Sequence, residues 1–364
     1  MIFSYLSAFY FFYFASVGVY VIFLPKVLHD IGYLPVQIGI IFALAPLMRF
    51  LTPFMFMKKL SLTNQIFKNS LISSFVCAFL FYVTIDNFYF FMAVNALIGI
   101  SLSLILPFIE NIAVSQLGKE KYGKSRLFGS IGFMLVAIIL GNNLSDSFSA
   151  LHFYLASTFL TAVFGIILSN YEKTRDDTSS NSPFSFSNYW LFWISLFLMQ
   201  VSFGGFYNFF TIYETGHGIS LEITSYLWAF GVICEIVMLY FQAPILKKNL
   251  ILLIKFSIVA TIIRWLLVFM FPQNLYIAFF AQSLHAFSFG LYYSAVIVYL
   301  YSIYDNKKLA GQFMFGFAYG LGGFAGAISA GWFYGKYLFL YSAFIAFLAF
   351  LAQHYQSKSA KVNL

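Results

Sequence analysis

Runs of about twenty apolar residues recur from one end of this sequence to the other, separated by short polar clusters. A helix of ~20 residues spans the hydrocarbon of a bilayer, and inside lipid only helices or closed barrels satisfy their own backbone groups. Continuous apolar runs, unlike short alternating segments, specify helices. Composition excludes the alternative of a water-soluble domain. Of 364 residues, 62% are hydrophobic and 9% charged, and the mean hydropathy is +0.86.

The runs predict spans near 2–27, 35–57, 66–86, 88–116, 124–145, 148–169, 188–214, 220–243, 249–270, 274–304, 308–335 and 336–355. The first run lacks a basic start and a small-residue cleavage site, so it reads as a retained span and not as a signal peptide. Lysines follow every second span: Lys58, Lys59 and Lys68, then Lys119, Lys121 and Lys124, then Lys247, Lys248 and Lys255, then Lys307 and Lys308. The opposite loops, around His29 and Asp30, Asp86, Asp146 and His217, carry almost none. Basic loops stay in the cytoplasm, so both termini are expected there, in the inner (plasma) membrane. The net charge of +8 is accounted for by these loops, and no nucleic-acid partner is expected. Cys77 and Cys234 lie within apolar runs and read as packing residues.

The longest polar stretch, Asn170 to Asn188, falls near the middle of the chain. It divides the expected architecture, an all-α integral membrane fold of twelve transmembrane helices in two six-helix bundles. The halves are residues 1–174 and 185–364, joined by a cytoplasmic linker at 175–184. A weak internal echo agrees: aligning Gly32 with Gly218 puts Ala43 on Ala229 and Arg49 on Glu235. Duplicated halves of this kind belong to secondary transporters. The glycine-rich eleventh span reads as a close-packing helix or as a surface along which the halves slide.

Charged side chains near the bilayer centre cost on the order of 2.5–3.5 kcal/mol, so those that occur there face a cavity or a partner. Five stand out here, Arg49, Glu110, Arg126, Glu235 and Arg264, with His285 as a titratable sixth. Glu110 and Arg126 flank the turn near Gly118 at similar distances, which puts them at one depth in an antiparallel helix pair. They read either as a hairpin ion pair or as a solute contact. Arg264 and His285 fall at comparable depths on the ninth and tenth spans. Glu235 stands among Val232, Ile233, Cys234, Ile236 and Val237, the setting of a neutral packed acid or of one that takes up and returns a proton; Arg126 is a candidate partner. Arg49 reads as a cavity or gating residue, or as a side chain reaching for the surface. The chain holds 50 Phe and 26 Tyr, and Phe133, Tyr207, Trp228, Trp265 and Tyr292 lie on spans that carry or neighbour the charges. An aromatic cavity with a few cations suits a small aromatic carboxylate and also stacks on a sugar ring. No metal-spaced cluster, phosphate loop or nucleophile with a base is present, so an enzyme, a cofactor and a bound metal are not expected.

The segment Tyr122-Gly123-Lys124-Ser125-Arg126-Leu127-Phe128-Gly129-Ser130 resembles the major facilitator superfamily, in the branch of the 3-phenylpropionate transporters and, more distantly, lactose permease. The likeness extends over nearly the whole chain, through Phe23-Leu24-Pro25, Ile38-Gly39 with Arg49-Phe50, Tyr226-Leu227-Trp228, Gly231 with Glu235, Arg264-Trp265 and Leu284-His285. By that resemblance Glu110 matches a substrate-binding glutamate, Arg126 its arginine partner, and Phe133 a tryptophan on which sugar stacks. Arg264 and His285 match members of a proton-coupling network, while Glu235 lies about a turn from its span-eight glutamate. Three departures matter. The acidic residues of span seven and the lysine of span eleven that the resemblance calls for are missing, Phe203 and its neighbours being uncharged. Ser288 stands where the resemblance calls for a proton-carrying acid, and the loop Met57-Lys58-Lys59-Leu60-Ser61 lacks the Gly and Asp of the superfamily's gating motif.

The expectation is therefore a major facilitator transporter that works as a monomer and moves a small organic solute with a proton. Arg126 and Arg264 would hold an aromatic carboxylate, Glu110 would orient it, and Phe133 would wall the site. Glu235 and His285 would titrate, and Arg49, Tyr207 and Trp228 would line or gate the cavity. A sugar or nucleoside symporter or an exporter on the same fold is the nearest rival, and a non-transporting membrane sensor or assembly partner the more distant one.

Overall fold

A computed structural model of the chain describes residues 1–57, 62–144, 146–171 and 186–362. Among them twelve helices are long and apolar enough to cross a membrane: α1 (Ile2–Asp30), α2 (Pro35–Thr52), α3 (Asn64–Thr84), α4 (Phe88–Gly118), α5 (Lys121–Asn143), α6 (Phe148–Tyr171), α7 (Ser187–Gly216), α8 (Leu221–Ile245), α9 (Leu250–Met270), α10 (Leu275–Ile303), α11 (Leu309–Trp332) and α12 (Leu338–Ser357). No strand occurs among the described residues. The ends fall within a few residues of those read from the apolar runs, and the second helix runs on to Met57. The expected linker at 175–184, and residues 58–61 of the gating loop, lie outside the described residues.

Helix starts follow from local chemistry. The first backbone N–H groups of a helix have no partner within it, and a side-chain oxygen just upstream supplies one. Thr63 caps α3, Asn87 α4, Asp146 the helix that becomes α6, Ser220 α8, Asn249 α9 and Asn274 α10. The turn between α4 and α5 is made at Gly118, whose φ of 68° is left-handed and disfavours any side chain. Gly32 and Gly218 likewise adopt φ of 101° and 90° in the first turn of each half, giving the internal echo a backbone counterpart.

Within the first six helices α1 lies against α5 and α6, α2 against α4, and α3 against α4 and α6. Within the last six, α12 lies against α7 and α9, and α10 against α8 and α9. Small residues set the closest approaches. A Cβ on Gly132 would stand 2.1 Å from the Phe11 carbonyl oxygen, joining α5 to α1, and one on Gly204 would stand 2.1 Å from that of Gly326, joining α7 to α11.

The two bundles meet through α1 with α7, α2 with α11, and α5 with α8. These contacts are tight at the end bearing His29, Asp30, Asp146 and His217. There, a Cβ on Gly39 would lie 2.7 Å from the Ala327 carbonyl oxygen, and one on Gly141 would lie 2.2 Å from Ser225 Oγ. The Tyr226 hydroxyl also donates to Asn142 Oδ1 at 3.1 Å. Towards the lysine-rich end, α11 still touches Phe50 through Gly320 and Gly316, but a Cβ on Gly311 would meet only Tyr301 of its own bundle. Three spans carry π-helical turns in mid-membrane, Val19–Phe23 in α1, Ala286–Leu291 in α10 and Phe315–Gly322 in α11. Such wide turns leave backbone groups unevenly paired and gather at functional positions.

The Gly141 contact makes a specific prediction. In protein with Cys77 and Cys234 replaced by serine, Gly141→Val forces α5 from α8, and a cysteine at buried Thr211 becomes reactive to impermeant maleimide added from the His217 side. Labelling equal to that of the Gly141 parent would show that this contact does not close the protein.

Candidate functional site

Two polar clusters occupy the two bundles. In the first, the antiparallel hairpin turning at Gly118 brings Arg126 Nη1 to 2.8 Å from Glu110 Oε1. The Tyr122 hydroxyl donates to Glu110 Oε2 at 2.9 Å. The Arg126 guanidinium lies over the rings of Phe14 at 5.1 Å and Tyr10 at 5.7 Å. The pair is partly open, with side-chain exposures of 37% for Arg126 and 31% for Glu110, whereas Tyr10 behind it is fully buried. Tyr10 was not anticipated, and its hydroxyl has no hydrogen-bond partner. The pair is electrically self-compensated and offers a solute guanidinium donors beside carboxylate acceptors.

In the second cluster Arg264 of α9 is fully buried. Its Nη1 donates to His285 Nδ1 at 2.8 Å and Ser288 Oγ at 3.2 Å, and its Nη2 to Gln282 Oε1 at 2.6 Å. Its guanidinium also sits 4.3 Å from the Phe206 ring and 4.6 Å from the Trp265 ring. Arginine only donates, so His285 Nδ1 must accept and the neutral ring carries its proton on Nε2. Nε2 lies 3.5 Å from Glu235 Oε2, and the ring is stacked on Phe289. Gly290 makes room for this, since a Cβ there would come within 3.2 Å of Glu235 Cγ. The result is a line from Arg264 through His285 to Glu235, and Glu235 is the partly exposed member facing away from the buried arginine. Ser288, at the position where the resemblance calls for an acid, accepts a hydrogen bond from the arginine.

The remaining expected residues are divided between the bundles, Arg49 and Phe133 on the first and Tyr207 and Trp228 on the second. The Phe133 and Trp228 rings approach to 6.2 Å across the α5–α8 contact, and Trp228 Nε1 donates to Thr211 Oγ1 at 3.1 Å. Tyr207 stacks on Phe203 and interacts electrostatically with Glu235, Arg264 and Arg49. Arg49 is exposed, interacts electrostatically with Tyr13, Tyr20 and Tyr207, and has no carboxylate partner among the described residues. Arg49 and Glu235 stand equally far from the starts of their spans, Pro35 and Leu221, about 21 Å in.

Several placements differ from the sequence reading. Arg126 pairs with Glu110 and not with Glu235, whose neighbour is His285. Arg126 and Arg264 lie in separate clusters, and Arg264 is enclosed by its own bundle. Glu214, one turn from the end of α7, is 1% exposed and its Oε2 has no hydrogen-bond partner. It escaped notice because the nearby Gly216 and Gly218 make it look like part of a loop. Tyr122 and Gln282 were also missed, because one tyrosine or glutamine among so many carries no signal until its partner is known.

Two bundles of six spans, joined face to face and each holding a polar cluster, define a major facilitator membrane transporter, and not an enzyme. The sequence matches the MFS_1 like family over residues 3–358, and the chain belongs to that family. Among curated proteins no sequence matches. Among solved structures, the nucleoside transporter NupG, in a substituted form, superposes with a TM-score of 0.80 at 14% identity, covering 98% of this chain and 100% of that one. A bacterial homologue of the human lysosomal transporter Spinster, inward-facing and unoccupied, gives 0.66 at 14% identity, covering 98% and 97%. The E. coli fucose:proton symporter FucP, also substituted, gives 0.61 at 15% identity, covering 97% and 98%. At these identities the likeness concerns the fold.

The enclosure of Arg264 predicts a positioning role. Arg264→Met leaves His285, Ser288 and Gln282 without their donor and should cost on the order of 3 kcal/mol, seen as a fall of several degrees in Tm of the detergent-solubilised protein. An unchanged Tm would mean that these hydrogen bonds do not organise the bundle.

Proposed function

We propose that this protein is a proton-coupled symporter of a neutral, hydroxylated, ring-bearing solute of the sugar or nucleoside class. The observation that carries the reading is the Glu110–Arg126 ion pair at 2.8 Å, partly open and self-neutralised. Vicinal hydroxyls fit such a pair because they donate to the carboxylate and accept from the guanidinium at once. A carboxylate bound there would meet Glu110 as well as Arg126, and like charges at hydrogen-bond range repel. The aromatic carboxylate preferred on sequence grounds is thus poorly matched to this pair and to the enclosed Arg264. It remains a second reading on one specific observation, the exposed Arg49, which has no carboxylate partner among the described residues. The fold shared with a nucleoside transporter and a fucose:proton symporter is compatible with the first reading.

For coupling, Glu235 is the proton-carrying acid. His285, held by Arg264 with Nδ1 as acceptor, presents Nε2–H towards it and orients the carboxyl. Alternating access of halves 1–174 and 185–364 carries solute and proton together. The distribution of lysines supports an inner-membrane orientation with both termini cytoplasmic, and the His217 end outside. The structure is then closed outside. One chain holds both clusters, which supports a functional monomer.

Purified protein in proteoliposomes tests the reading with labelled uridine, lactose and 3-phenylpropionate under an imposed pH gradient. Uptake of uridine or lactose should be driven by the gradient, and Glu235→Gln should abolish accumulation while leaving solute exchange partly intact. Undiminished accumulation by Glu235→Gln would remove it from the proton path, and uptake of 3-phenylpropionate alone would favour the Arg49 reading.

A further inference from the structure

Three contacts draw α1 onto α5 beside the ion pair. Ser7 Oγ donates to Ser125 Oγ at 3.2 Å, a Cβ on Gly129 would stand 2.5 Å from the Phe14 ring, and one on Gly132 would stand 2.1 Å from the Phe11 carbonyl oxygen. These small residues let the rings of α1 reach Arg126, whose guanidinium carbon lies 5.7 Å from the centre of the Tyr10 ring and 5.1 Å from that of Phe14. Tyr10 also shares a buried cluster with Ile109, Ile112 and Ala113, which flank Glu110 on α4, and Tyr122 packs against that cluster. Tyr10 is thus placed against both arms of the hairpin that carries the pair.

Three polar atoms here are closed to solvent and make no hydrogen bond: the Tyr10 hydroxyl, Glu110 Oε1 and Arg126 Nη1. The last two touch at 2.8 Å, so the charges meet, but without the direction that a hydrogen bond requires. Glu110 Oε2, by contrast, accepts from the Tyr122 hydroxyl. A buried phenol hydroxyl bonded to nothing costs free energy, and removing it takes no hydrogen bond from the empty protein. It is satisfied if the pair beside it rearranges. A phenol oxygen accepts where a guanidinium donates, and the guanidinium has five N–H groups, enough to hold a solute and a tyrosine together.

We infer that Tyr10 is a positioning residue of the solute site: when a solute hydroxyl takes Glu110 Oε1 from Arg126, the Tyr10 oxygen accepts the released Arg126 N–H, and the guanidinium binds the solute through its other donors. This rests on the reading of Glu110–Arg126 as the solute site, and it adds what holds the arginine once its carboxylate is shared. The loaded state then contains a hydrogen bond that the empty state lacks, so Tyr10 strengthens solute binding without strengthening the empty fold. The cation stays against the Tyr10 and Phe14 rings in both states and is never released towards hydrocarbon.

Uptake and thermal unfolding of the full chain test this together, with uridine and lactose as solutes and with wild type, Tyr10→Phe and Glu110→Gln. Tyr10→Phe keeps the ring and removes only the hydroxyl. Without solute its Tm in detergent should equal or exceed that of wild type, because no bond is lost. In proteoliposomes its KM for whichever of the two solutes the wild type transports should rise about tenfold, the loss expected for one hydrogen bond to a charged group, with the maximal rate within about twofold. A merely structural tyrosine would show the opposite, a lower Tm at unchanged KM. A wild-type KM in Tyr10→Phe, with Glu110→Gln inactive, would overturn this inference and leave the ion-pair site standing. A Tm of the empty variant clearly below that of wild type would overturn it as well, since the hydroxyl would then be bonded before solute arrives. Normal uptake by Glu110→Gln, or no uptake of either solute by the wild type, would overturn the site reading and this inference with it.

Discussion

A charge in hydrocarbon must find a partner or a water-filled cavity, and that constraint organises this protein. The five charged groups expected near mid-span are settled in four ways. Glu110 and Arg126 neutralise each other at a partly open position. Arg264 is enclosed by donors' counterparts, the His285 ring nitrogen, Ser288 and Gln282, and by the faces of Phe206 and Trp265. Glu235 has a histidine beside it and stays partly exposed, while Arg49 is exposed. The distinction between positioning and function follows from it: enclosed groups shape a bundle, and accessible ones exchange partners during a cycle.

The second constraint is the closeness of helices. Where lipid surrounds the protein, apolar side chains gain little from choosing a helix over a lipid tail, so tight backbone approach decides which helices stay together. Gly132 against Phe11 and Gly204 against Gly326 bind helices within a bundle, while Gly39 against Ala327 and Gly141 against Ser225 bind the bundles to each other at one end, and Gly320 against Phe50 continues that contact further along the spans. The π-helical turns of α1 and α11 lie at contacts between the bundles, and that of α10 carries Ser288 beside Arg264.

Most of the architecture was legible in the sequence because hydropathy is a long, redundant signal: the twelve spans, and the turns at Gly32 and Gly218, follow from runs and from one residue type with unusual backbone freedom. The Glu110–Arg126 and Arg264–His285 neighbours were also readable, since depth in a span is a count of residues from its end. Lateral facing was not. Sequence gives a residue's depth but not which neighbouring helix its face meets, so Glu235 was assigned a possible Arg126 partner and found His285, and Arg49 was left between surface and cavity. Tyr10 and Tyr122 were hidden in an aromatic-rich chain, and Glu214 by its nearness to a turn. The π-helical turns leave no mark in a hydropathy pattern at all.

The central claim is that the solute is neutral and travels with a proton, and charge movement measures this most directly. Proteoliposomes on a solid-supported membrane, challenged with uridine, lactose and 3-phenylpropionate, should give a saturable inward positive current with a ring-bearing neutral solute, because each cycle then carries one uncompensated proton. They should give none with the carboxylate. Saturable uptake of 3-phenylpropionate without current, and silence from both neutral solutes, would contradict the account, since a carboxylate moving with one proton carries no net charge.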